Sequence, residues 1–104
     1  MIIFRAMQDK EADETLKYNS FSWNSRFKWF GTLEFVTSRV QDGKFNNSRF
    51  KPNRYNRLLK FEIDDASLSN FVNCGNNELM LNARKSPLVK ILQVEDITST
   101  CKIP

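Results

Sequence analysis

The chain has 104 residues, 40% hydrophobic and 27% charged, a mix that suits one cored domain and not a disordered chain. Its formal net charge is +4 and it contains no histidine, which excludes histidine-based triads, histidine acid–base pairs and most zinc sites. Cys74 and Cys101 fit neither a zinc pattern nor a disulfide framework, and no apolar run approaches the ~18 residues of a membrane helix.

Ile2 to Met7 reads as a first strand, nearly all β-branched or apolar and interrupted by Arg5. A guanidinium in such a strand either snorkels at an edge or has a partner or ligand. Asp9 is placed to cap a helix over Lys10 to Tyr18. Glu11, Asp13 and Glu14 lie in its early turns, where the helix dipole favours them, and Ala12 and Leu16 give it a thin apolar stripe. Phe21 to Gly31 is dense in aromatic residues. Its Phe27-Lys28-Trp29 alternation predicts a short strand, whose rings either fill the core or stack on a base or nicotinamide.

Thr32 caps a second helix over Leu33 to Gln41, with Leu33, Val36 and Val40 on one face and Asp42-Gly43 as its stop. Its hydroxyl therefore sits beside free backbone N–H groups that favour an anion. Lys44 to Asn56 has no period and reads as a long loop. Arg26, Lys28, Lys44, Arg49, Lys51, Arg54 and Arg57 make the middle of the chain basic, which draws anions, while Tyr55 offers a stacking surface. The bland reading of that run is a solvated face.

Arg57 to Asp64 alternates cleanly as a strand, with Leu59, Phe61 and Ile63 on one side. Ser67 is expected to cap a short helix through Leu68, Phe71 and Val72, ending at Gly75. Glu78 to Asn82 is the next strand, Ala83 to Pro87 a turn, and Leu88 to Ile97 the last strand. The order implies a single domain over residues 1–97 with a C-terminal tail, 98–104. Its class is α+β: two N-terminal helices packed on a bent, mostly antiparallel sheet. Glu78, at a strand entrance, is either an ordinary solvated charge or the carboxylate of a cleft. If Arg5 meets it there, the two frame a site for an anionic ligand.

Three segments in this order carry a resemblance: Arg5 within Ile3-Phe4-Arg5-Ala6-Met7, then Trp29-Phe30-Gly31-Thr32, then Glu78 within Asn77-Glu78-Leu79-Met80-Leu81. With the strand Val89 to Val94 behind them, they resemble small mono-ADP-ribosyltransferase domains of the bacterial toxin type. That resemblance implies NAD as co-substrate and no metal. It implies Glu78 as the catalytic carboxylate, Thr32 as an orienting hydroxyl, Arg5 on the dinucleotide phosphates, and Trp29 or Phe30 as a wall beside the nicotinamide. The acceptor would be a macromolecule, protein or nucleic acid, contacted by Arg49, Lys51, Arg54 and Tyr55.

A cognate immunity protein or antitoxin is a further partner of such domains, and no membrane is implied. The place of action would be the cytoplasm, or a target-cell cytoplasm after delivery within a longer polypeptide. Asn76 stands two places before Glu78 where arginine-modifying members carry glutamate or glutamine, so arginine is not implied as the acceptor. A single Thr32 stands where fuller members carry serine–threonine–serine. The alternative from another class is a basic nucleic-acid-binding module or a histidine-free ribonuclease toxin. A third is a partner-binding protein such as an inhibitor.

Overall fold

Alternate residues of a strand face opposite sides of a sheet, and here that alternation divides the core in two. The structure, a computed structural model, describes residues 1–21, 27–41 and 55–100. Its strands are β1 (Ile2–Met7), β2 (Phe27–Gly31), β3 (Arg57–Ile63), β4 (Phe71–Gly75), β5 (Glu78–Asn82) and β6 (Ile91–Asp96). They form one sheet in the order β4-β5-β2-β1-β3-β6, and every pairing is antiparallel.

Helix α1 (Asp9–Tyr18) and helix α2 (Leu33–Gln41) pack on opposite faces of the sheet. On the α1 face, Ile3, Met7, Leu59, Phe61 and Ile63 gather with Ala12, Phe21 and Phe30. On the α2 face, Ala6 and Leu58 gather with Val36 and Val40. The α+β class and the antiparallel sheet agree with the sequence, as do the bounds of β1, β2, α2 and β5. No helix among the described residues is long and apolar enough to cross a membrane.

Several elements differ from expectation. Gln8, not Asp9, stands at the N-cap of α1, without a side-chain cap bond, and Asp9 opens the first turn. Leu16 is 38% exposed; α1 turns Glu11, Ala12 and Thr15 inward instead. The helix expected from Ser67 to Gly75 is a 3-10 turn, Asp65–Asn70, capped by the Asp64 carboxylate, followed by strand β4. Phe71 and Val72 favour a strand once β5 is there to pair with them, opposite Leu81 and Met80. Asn76 and Asn77 carry φ of 53° and 64°, the two-residue turn with positive φ at both positions that suits a tight hairpin.

Ala83–Leu88 is also a 3-10 turn, so the last strand begins at Ile91 and not at Leu88. Thr98, expected in the tail, is tied in. Its hydroxyl accepts from the Leu58 N–H at 2.7 Å and donates to Asp96 at 2.6 Å. Asp96 also meets Arg57, which reaches Asp9 and Asp13 on α1 and so ties helix to sheet. Arg26, Asp42-Gly43, the basic run Lys44 to Arg54 and residues 101–104 lie outside the described residues.

Candidate functional site

β1 and β2 are neighbours in the sheet, yet their pairing is confined to Phe4 opposite Gly31. Continuing that register would set Ala6 opposite Trp29. Instead the strands part, and the Arg5 side chain occupies the wedge. Its Nε donates to Oε2 of Glu11 at 2.7 Å and its Nη2 to Oε1 at 3.1 Å. Its Nη1 donates to the carbonyl oxygen of Trp29 at 3.1 Å, a group the missing ladder would have served. The Lys28 ammonium, 0% exposed, lies 3.6 Å from the same Oε2.

Glu11 is thus a buried carboxylate shared by two buried cations. Burial lowers the Lys28 pKa from 10.5 to about 8; the Arg5 charge adds to the fall and Glu11 opposes it. The proton is released from the fold near pH 8 but from the unfolded chain only near 10.5. Between those values the unfolded chain binds more protons, so stability rises with pH. We expect a gain on the order of 3 kcal/mol across that window in urea unfolding of the native protein. Lys28→Met should abolish that part of the rise; an unchanged slope in the variant refutes the assignment.

The predicted site residues fall into two groups. Arg5 projects from the α1 face of β1 and, with Trp29, Phe35 and Tyr55, lines a cavity of about 220 Å³ in the wedge. Trp29 is 43% exposed there. Phe30 touches the same cavity, but its buried ring packs against Phe21, Phe61 and Phe71 as core. Thr32 and Glu78 line a second cavity of about 310 Å³, together with Met1, Gly31, Asn73 and the Asn76-Asn77 turn. The structure therefore does not bring Arg5 and Glu78 into one crevice. Arg49, Lys51 and Arg54 lie outside the described residues.

In the second cavity the parts are close in the sheet. Glu78 stands opposite Gly31 on β2, and Gly31 opposite Phe4 on β1, so the three segments of the sequence pattern occupy neighbouring strands. Among the described residues the Glu78 side chain makes no hydrogen bond or ion pair, leaving its carboxylate available. Thr32 Oγ1 accepts from the Phe35 N–H at 3.2 Å, which caps α2 and leaves the hydroxyl proton to be donated.

Gly31 is required where these elements meet. A Cβ there would stand 2.8 Å from the Asn77 carbonyl oxygen and 2.6 Å from Phe35 Cδ1. Gly31→Ala should cost about 1–3 kcal/mol by overpacking, read as a lower urea midpoint; an unmoved midpoint contradicts the close approach.

The buried Glu11–Lys28 pair escaped the sequence reading, though a signal was present. Lys28 shares its strand face with Phe30, so burying one buries the other. No group of three or more metal-ligating side chains among the described residues is arranged to hold an ion. No protein-family model, curated protein or solved structure matches the chain.

Proposed function

We propose that this domain transfers ADP-ribose from NAD to a macromolecular acceptor, with Glu78 and Thr32 as its working side chains. The observation that carries the reading is the available Glu78 carboxylate sharing a cavity with the Thr32 hydroxyl across the paired strands β2 and β5. In such a reaction the bond between nicotinamide and a ribose carbon breaks, nicotinamide leaves with the electron pair, and positive charge develops on the sugar. A nucleophilic atom of the acceptor bonds to that carbon and gives up its proton. A fixed carboxylate stabilises that charge electrostatically, which needs neither histidine nor metal. Thr32 donates to a ligand oxygen while α2 holds it in place.

The reading differs from the sequence expectation at Arg5. Arg5 lines the wedge cavity, where it braces Glu11 and the Trp29 carbonyl, and not the cavity that holds Glu78 and Thr32, so it is not assigned to the phosphates of a ligand at Glu78. The test is nicotinamide release from NAD, followed by incubation with labelled NAD and a cell lysate. Label in one macromolecular fraction supports transfer; neither release nor label overturns the proposal.

A further inference from the structure

The wedge cavity is separate from the one that holds Glu78, and the NAD reading makes no use of it. Three observations bear on what it takes. It is bordered by the rings of Phe27, Trp29, Phe35 and Tyr55, and at about 220 Å³ it suits one ring with a small head group.

The second observation concerns Arg5, which lines the same cavity and is 8% exposed. A guanidinium has five N–H donors. Three of them meet Glu11 and the Trp29 carbonyl, so one on each Nη has no partner among the described residues.

The third is charge. Among the described residues Glu11 is the one buried carboxylate, and it faces two buried cations, Arg5 and Lys28. Glu14 also acts on Lys28, whereas Arg5 shares its one paired carboxylate with that lysine, so an anion that reaches Arg5 is attracted by its charge. Of the two cations, Arg5 is the one that borders the cavity.

We propose that the wedge is a binding site for a small aromatic carboxylate, its ring against Trp29 and Phe35 and its carboxylate on the two open N–H groups of Arg5. A flat carboxylate matches the planar fork, and ring stacking holds the body of the ligand. Ring and charge are both needed, since neither the aromatic walls nor the guanidinium alone fixes the ligand.

The site is tested on the full chain with benzoate, benzyl alcohol (same ring, no charge) and acetate (charge, no ring). Binding is followed through the Arg5 Nε–H and the Ala6 and Val36 amide resonances. Benzoate should shift them saturably with a Kd of about 1 mM or tighter. Benzyl alcohol and acetate should bind at least about tenfold more weakly, lacking a charge-assisted hydrogen bond or a stacked ring.

Trp29→Ala, a half-exposed position chosen to leave the fold intact, should weaken benzoate about tenfold. Glu78→Gln should leave benzoate binding unchanged, so failure of the NAD reading does not touch this one. Equal binding of benzoate and benzyl alcohol, absence of saturable shifts, or indifference to Trp29→Ala overturns the proposal.

Discussion

Glu78→Gln should lower nicotinamide release from NAD by roughly 10²–10³-fold while leaving the unfolding midpoint where it was. The first half follows from the charge. A carboxylate aimed at a developing cation acts chiefly in the transition state, and losing one such group typically costs about this much in turnover. Glutamine keeps the shape and the hydrogen-bonding oxygen, so the loss reports charge and not packing.

The second half follows from the surroundings. The Glu78 carboxylate makes no ion pair or hydrogen bond among the described residues, so its neutralisation leaves no buried partner stranded. A stability change within about 0.5 kcal/mol is the expectation for such a site. A group maintained for the fold would show the opposite pattern, with stability lost and activity spared. Unchanged turnover in a folded variant would remove Glu78 from the reaction.

Strong periodicity made most of the fold readable. β3 alternates over seven residues, and its odd positions Leu59, Phe61 and Ile63 are all buried. α2 is bounded at its start by a threonine that does cap it. The region after Asp64 departs from the expected helix because Leu68, Phe71 and Val72 fit a helical spacing, while β4 exists only through its pairing with β5. Local pattern cannot report a partner strand that closes through two asparagines with positive φ.

The site was less legible for a related reason. Ile3-Phe4-Arg5-Ala6-Met7 is apolar on both sides of Arg5, because β1 lies inside the sheet with a helix on each face. Sequence alone therefore does not say to which face the guanidinium turns. It turns to α1, whose exposed-looking run of acids hides Glu11, and so it leaves the cavity that Glu78 lines.

The same buried cluster sets the largest stability effect expected in the molecule. Glu11→Gln should destabilise the fold by about 3–5 kcal/mol at neutral pH, the range seen when one partner of a buried ion pair is removed. Glu11 is 4% exposed and holds Arg5 through two hydrogen bonds while lying beside Lys28. Without it Arg5 and Lys28 lose the buried carboxylate they share. Domains of this size have about 5–15 kcal/mol in total, so much of the margin would go.

Lys28 offers a partial escape, because it can lose its proton. Burial already lowers its pKa to about 8, and losing Glu11 removes a contribution that raises it. The penalty of Glu11→Gln should therefore shrink as the pH is raised toward 8 and level off above it, whereas a simple loss of packing costs the same at every pH. Replacing all three groups together, Arg5→Met, Glu11→Leu and Lys28→Met, should recover most of the lost stability, since apolar side chains leave no charge unmatched. Urea midpoints of the single and triple variants at pH 7 and pH 9 decide the matter. A single variant that loses less than about 1 kcal/mol, or a triple variant no better than the single, would show that the buried charges are not what holds α1 against β1.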